Sequence, residues 1–321
     1  MTEPVIIAHG GAGKSKYDRW EDFHRGSHMA ALAGQRVLHA GGSALEAAVE
    51  AVRAMEENAT FNAGYGAELN RDGVVECDAL VATDDLQSGA VAGVRSVRNP
   101  VLLARVVMEE TPHILLVGDG AEQLAQKYGL AGHPSSLVTE SRLRRWREIR
   151  AEGGGFEFDA AGAAEDASEP GDYPPADTVG ACALDSMGRL AVASSSGGYM
   201  MKYPGRVGDT PVLGAGSFCG PAGAVSCTGH GESIMRAGMA RYAYDLLAQG
   251  ADVMEAASEA VRYLVDEIRG FGGLVILDAK GNRAWLTSTS HFAIGVPEYP
   301  PGAAPSPFGE PAGVIRAGAT A

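Results

Sequence analysis

The stretch DTVGACALDSMGRLAVASSSGG, Asp177 to Gly198, decides the fold. Two runs of small and apolar residues, 178–184 and 190–195, flank the turn residues Asp185, Ser186, Met187 and Gly188. Apolar runs of this length around a short Gly-containing turn are the signature of a β-hairpin. A second such signal stands at 273–277 and 284–286, around Asp278, Ala279, Lys280, Gly281 and Asn282. Strands that arrive as hairpins pair antiparallel, and helical patterns lie on both sides of them in the sequence. The expectation is therefore a mixed α/β (α+β) sandwich of antiparallel sheets and helices, not a doubly wound parallel sheet.

Upstream, 5–8 is an apolar run that enters the glycine turn His9-Gly10-Gly11-Ala12-Gly13 and reads as a buried strand. A helical region follows from about 19 to 55, interrupted by Gly41-Gly42 and restarted by the capping-box pattern Ser43-x-x-Glu46. Leu45, Val49, Val52 and Met55 make its buried stripe. Strands are expected at 89–97 and 113–117, and helices at 100–108 and 120–127. The basic run 142–150 is interrupted by acids and reads as a solvated helix face. Residues 151–177 are rich in Gly, Ala, Pro and acids, with few large apolar side chains, and read as a flexible linker that stops abruptly at Thr178. Downstream, 223–226 reads as a strand, 232–248 and 252–269 as helices, and the Pro- and Gly-rich tail after Pro297 as loop.

Composition narrows the function classes. Forty acidic residues against 26 basic ones, a net charge of −14, leave no basic footprint for nucleic acid. No apolar run reaches the roughly 20 residues needed to span a bilayer, and the N-terminus lacks the pattern of a signal peptide, so the expected location is the cytoplasm. The four cysteines, Cys77, Cys182, Cys219 and Cys227, have spacings that suit neither zinc nor a disulfide framework. The 44 glycines, about twice average usage, show no period and mark tight turns and close backbone approaches. No phosphate loop or zinc-protease helix motif occurs, and HGGAG lacks the G-x-G-x-x-G spacing of a dinucleotide site.

Thr178 is the residue with chemistry to offer. It directly follows the linker and lies among small residues. A cut between Asp177 and Thr178 would leave it a free α-amine, whose unperturbed pKa is about 7.7–8.0. That amine could take the proton from the residue's own hydroxyl and make it a nucleophile.

At this point the sequence resembles a known family. The segment from 177 to 216, with GAVSCTGHGESIMRAGMARY (223–242), is similar to the plant-type asparaginase/isoaspartyl peptidases, which are N-terminal-nucleophile hydrolases. The resemblance continues in HGGAG (9–13), FNAGYGAELN (61–70), ECDALV (76–81), the segment 88–113 and FGGLVILD (271–278), in order over about residues 5–290. It implies a four-layer αββα sandwich, with one α chain (1–177) and one β chain (178–321) cut from one precursor and together making one domain. It implies Thr178 as both cleavage residue and nucleophile, with Asp177 before the cut. Ser196 stands where the family usually has a second threonine, in T-S-T-G-G, that orients the nucleophile; here the segment is Ser194-Ser195-Ser196-Gly197-Gly198, which keeps the hydroxyl. Arg206 would hold the substrate α-carboxylate and Asp209 its α-ammonium, with Gly231 facing the substrate. Thr228 and Gly229 would form the oxyanion hole, and Asn62 would support the site. A structural sodium ion is implied at backbone carbonyls near Met55, Glu56, Asn58, Phe61, Ala63 and Tyr65, with no cofactor for catalysis. The implied assembly is a dimer of cleaved αβ units, and the implied substrates are asparagine and β-aspartyl dipeptides. A glycosylasparaginase-like amidase and an unprocessed binding protein share the same clamp and stand as alternatives; a threonine endopeptidase of the same superfamily would need an extended recognition segment.

Overall fold

The computed structural model of the chain describes residues 2–13, 20–152 and 178–298, and 313–315 as backbone. Asp177 and 153–177 of the expected linker lie outside the described residues. So does most of the tail after Pro297, although Gly313–Ile315 is a strand within it.

Two sheets form the centre. The first has seven strands in the order β11 (His291–Gly295), β1 (Val5–Gly13), β5 (Val179–Leu184), β6 (Leu190–Ser196), β2 (Cys77–Thr83), β3 (Ser88–Val94) and β4 (Leu115–Val117). All its pairs are antiparallel except β3 with β4. The second has β12 (Gly313–Ile315), β10 (Arg283–Thr287), β9 (Gly272–Asp278), β8 (Gly223–Gly229) and β7 (Ser217–Gly220), antiparallel throughout.

The deciding hairpin shows why the layers are four. Along β5, Val179, Ala181 and Ala183 belong to one apolar cluster, while Cys182 and Leu184 belong to another. The first cluster contains α1 (Trp20–His39), α2 (Ala44–Glu56) and α3 (Pro100–Glu110); the second fills the space between the sheets. Strand β9 repeats the pattern: Val275 and Leu277 face the sheet interface, while Leu274 and Ile276 face α6 (Gly231–Ala237), α7 (Met239–Ala248) and α8 (Val253–Asp266). Successive side chains of a strand point to opposite faces, so a strand buried on both faces reads as a continuous apolar run. The helix-facing positions of the hairpin are mostly Ala, which lets helices pack closely against it.

Local signals set the element ends. Ser43 and Glu46 form the expected capping box at α2, and Asp252 and Glu255 form another at α8. Asp185 builds the hairpin turn, its Oδ1 accepting the Met187 and Arg189 amides. The basic run lies on α5 (Glu140–Ala151), which buries no residue, so the linker's first residue is still helical. Three expectations are corrected. The single helix over 232–248 is two, α6 and α7, because Gly238 takes a left-handed conformation (φ 57°) and its amide closes α6 by donating to Ile234 and Met235. Strands β7 and β11 were not foreseen; β7 has only four residues. In the tail, Gly313–Ile315 pairs with β10.

Candidate active site

Contacts across the sheets fix which strand ends meet. His9 Nε2 lies 2.9 Å from Ser226 Oγ, and Ser217 Oγ donates to Ser194 Oγ at 3.0 Å. His9 pairs with Gly180, so Gly180 of β5 lies level with Ser226 of β8. Arg283 Nη1 donates to the Ile6 carbonyl at 3.0 Å. Ile6 pairs with Ala183, and Arg283 pairs with Leu277, whose partner in β8 is Ala224. Moving from 180 to 183 on β5 thus corresponds to moving from 226 to 224 on β8. The two strands run oppositely, and Thr178 and Thr228 share one end of the sandwich.

At that end Thr178 is buried, and its Oγ1 donates to Ser196 Oγ at 3.2 Å. Ser196 Oγ in turn accepts the Gly198 amide at 3.0 Å. The serine hydroxyl thus occupies the position beside Thr178 that the resemblance assigns to a second threonine. Asn62 ties its own loop to the same turn. Its Nδ2 donates to the Gly198 carbonyl, its carbonyl accepts the Gly197 amide at 2.8 Å, and its Oδ1 accepts the Glu68 amide at 2.8 Å. Thr228 is fully buried at the end of β8, with Gly229 next to it.

Arg206 and Asp209 converge on Gly231. A Cβ at Gly231 would lie 2.7 Å from Arg206 Nη2 and 2.8 Å from Asp209 Oδ1. One point therefore sits beside both a cation and an anion, and only glycine leaves it open. The α-carboxylate and α-ammonium of an amino acid are spaced closely enough to address such a pair, and the guanidinium fork suits a carboxylate. Burial pushes the Asp209 carboxyl up to about 7, against the pull of Arg206 and with help from the charges of Glu232 and Asp78.

Several participants were not singled out from the sequence. Glu76, just before β2, and Asp78, on it, face the 205–208 loop: Glu76 Oε2 accepts the Gly205 amide at 3.0 Å and Asp78 Oδ2 the Gly208 amide at 3.2 Å. Lys202, fully buried, donates to the Glu76 carbonyl at 2.6 Å. Two acids two residues apart at the entry to an apolar strand were the available signal, since buried carboxylates must be answered. His9 is kept neutral by burial, which pushes it down to about 3 against the opposing pull of the Thr178 backbone. His230 stacks on Phe271 and bonds Ser233 Oγ at 2.7 Å, which fits packing rather than a base aimed at Thr178.

The residues named for a cation run from the last turn of α2 into the loop that follows it. The Met55 carbonyl accepts the Asn58 amide, the Glu56 carbonyl that of Tyr65, and the Asn58 carbonyl that of Phe61. A Cβ at Gly66 would meet the Phe61 and Ala59 carbonyl oxygens at 2.9 and 3.0 Å. Three of the six named carbonyls are thus engaged in the turns of this segment itself.

The family profile described as Asparaginase matches residues 2–299. The chain belongs to this family. Among its relatives, the isoaspartyl peptidase/L-asparaginase of Homo sapiens is 42% identical over 294 residues, 89% of this chain and 91% of its own length. That of Danio rerio is 42% identical over 284 residues, 88% of each chain. The isoaspartyl peptidase of Salmonella typhimurium is 42% identical over 296 residues, 88% of this chain and 92% of its own. Among the described residues, no helix of this asparaginase-family chain is long and apolar enough to cross a membrane.

Proposed function

We propose that this chain hydrolyses the side-chain amide of asparagine and the β-linked peptide bond of isoaspartyl dipeptides, after cutting itself between Asp177 and Thr178 into an α chain and a β chain. The observation that carries this reading is the convergence of Arg206 and Asp209 on Gly231, in a family whose similar members bear those activities in their names. Both substrates present the same β-aspartyl half, so one clamp serves both.

The Thr178 hydroxyl first attacks the Asp177 carbonyl, and the shift of the acyl group from nitrogen to Oγ1 breaks the peptide bond and frees the α-amine; water then hydrolyses the ester, releasing the Asp177 carboxylate and the Thr178 hydroxyl. The amine then accepts the proton of the hydroxyl as Oγ1 attacks the β-carbonyl of the substrate. Ser196 orients Oγ1. The Thr228 hydroxyl and the Gly229 amide stabilise the oxyanion. Ammonia or an amino acid leaves, and water releases aspartate from the acyl-enzyme. A sodium ion at the carbonyls of the 55–65 loop belongs to the same reading; it would hold the shape of the loop that carries Asn62. The αβ units pair as dimers.

The test is intact mass together with product release. Two fragments, the second beginning at Thr178, plus aspartate from both asparagine and an isoaspartyl dipeptide, are expected. A chain that stays whole on long incubation and releases no aspartate sinks the reading in favour of a binding protein. Turnover of glycosylated asparagine instead would redirect it to the amidase alternative.

Two further results follow from the geometry. Thr228→Val removes one oxyanion donor while keeping the shape, and kcat should fall about 100-fold with the cleaved form still made. A drop under threefold would remove Thr228 from the oxyanion hole. The second is pH dependence. Asp209 titrates near 7 in the empty site and must be ionised to pair with the substrate ammonium. As pH falls through about 7, kcat/KM should decline toward tenfold per unit, because it reports the free enzyme. The bound ammonium pulls Asp209 down, so this limb should be missing from kcat, whereas a limb due to the Thr178 amine appears in both. Identical acid limbs in kcat and kcat/KM, unchanged in Asp209→Asn, would count against Asp209.

A further inference from the structure

We propose that Glu232 aims Arg206, setting which edge of the guanidinium meets the substrate and confining the site to zwitterionic head groups; this rests on Arg206 and Asp209 being the clamp. Glu232 Oε1 accepts from Arg206 Nε at 2.9 Å and Oε2 from Nη2 at 2.8 Å. That is a two-point pair along one edge of the fork. The face of the guanidinium lies over the Tyr199 ring, 4.6 Å from its centroid. On the far side, a Cβ at Gly208 would lie 2.6 Å from Nη1 and one at Gly198 3.3 Å from it. The side chain is thus held by an edge, a face and two glycines.

An arginine has five N–H donors, and Glu232 uses two of them. The Nη1/Nη2 edge keeps enough donors for a second carboxylate in the same two-point geometry, beside Gly231 and Asp209. The pair is asymmetric in exposure: the Arg206 side chain is 13% exposed and that of Glu232 38%. Glu232 therefore approaches from the solvent side and leaves the inner edge to the substrate. It acts through Arg206 and is a positioning residue.

The charges give the selectivity. Glu232 already balances Arg206, so the ionised Asp209 leaves the clamp one negative charge in excess. A ligand with an α-carboxylate and an α-ammonium satisfies both halves. A ligand lacking the ammonium, such as succinate, brings its anion to a clamp with no net positive charge to spare.

The experiment is calorimetric binding of aspartate and of succinate to the processed protein, in wild type, Glu232→Ala and Glu232→Gln, with kcat and KM for asparagine alongside. Expected are a rise of roughly tenfold or more in the aspartate Kd for Glu232→Ala, partial rescue in Glu232→Gln, a change carried by KM with kcat little altered, and a narrower preference for aspartate over succinate in both variants. An unchanged aspartate Kd, or a lower one, overturns the proposal: the first makes Glu232 an ordinary surface ion pair, the second a competitor that substrate displaces. Wild-type protein that binds no aspartate removes the clamp itself and this proposal with it, whereas aspartate binding without turnover leaves the proposal standing and counts against the hydrolytic reading alone. Thermal unfolding of each variant identifies a change caused by loss of fold.

Discussion

Thr178→Ala is expected to remain one 33.1 kDa chain on long incubation and to lose turnover of asparagine and isoaspartyl dipeptides by about four orders of magnitude or more, the scale on which removal of a catalytic nucleophile acts. One atom serves two reactions. In the proposed function Oγ1 would be the attacking group in self-cleavage, and cleavage would create the α-amine that activates it afterwards. Thr178 is itself buried, so thermal unfolding of the alanine variant beside wild type separates loss of the hydroxyl from loss of packing. Thr178→Ser separates the two roles: it keeps the hydroxyl, so cleavage and measurable turnover should survive. Mass spectrometry over days and an ammonia-release assay read both. Cleavage of the alanine variant at the same bond would show that another group performs the cut, and undiminished turnover would move the nucleophile elsewhere.

Arg206→Ala should raise KM and lower kcat/KM by about 1000-fold, within the range for truncating one partner of a buried, hydrogen-bonded charge pair. The guanidinium is answered by Glu232 on one edge and Tyr199 on one face, so its loss strands a carboxylate as well as vacating the site. The buried Asp209 loses the cation that pulls its pKa down and becomes harder to ionise. Arg206→Lys should rescue little, because a point charge on a flexible stem cannot reproduce the planar fork that two carboxylates would share. In the proposed mechanism self-cleavage makes no use of the clamp, so the fragments should still form. Steady-state kinetics on the cleaved variants check this; a KM within threefold of wild type would take Arg206 out of substrate binding.

How far the sequence was legible depended on the range of the interaction. The hairpin over β5 and β6, the capping boxes at Ser43 and Asp252 and the Asp185 turn are local devices, and each stands where the residue pattern puts it. The α6–α7 break escaped because Gly238 lies inside an unbroken helical pattern, and only its backbone angle separates the two helices. Strand β7 is four residues of modest apolarity whose pairing with β8 comes from its neighbours. In the site, the family resemblance placed Thr178 beside Ser196 and Arg206 beside Asp209. The surroundings that shape them were hidden: Glu76 and Asp78 reach Gly205 and Gly208 across 129 and 130 positions of chain. The Glu232–Arg206 pair likewise exists only once two loops are brought together.

The order of the seven-stranded sheet has a consequence for the life of the molecule after a cut before Thr178. Strands β1, β2, β3 and β4 come from one side of that bond and β5, β6 and β11 from the other, and the two sets alternate: β1 lies between β11 and β5, and β6 lies against β2. Hydrogen-bonded ladders therefore stitch the two pieces together at three seams, which such a cut would leave in place. The cut would erase the instructions for reassembly. The intact precursor can find its fold as a one-molecule search, but two separated pieces must meet first, at a rate that depends on their concentration. The enzyme would then be able to fold well only once, and its working lifetime would be governed by how slowly it comes apart.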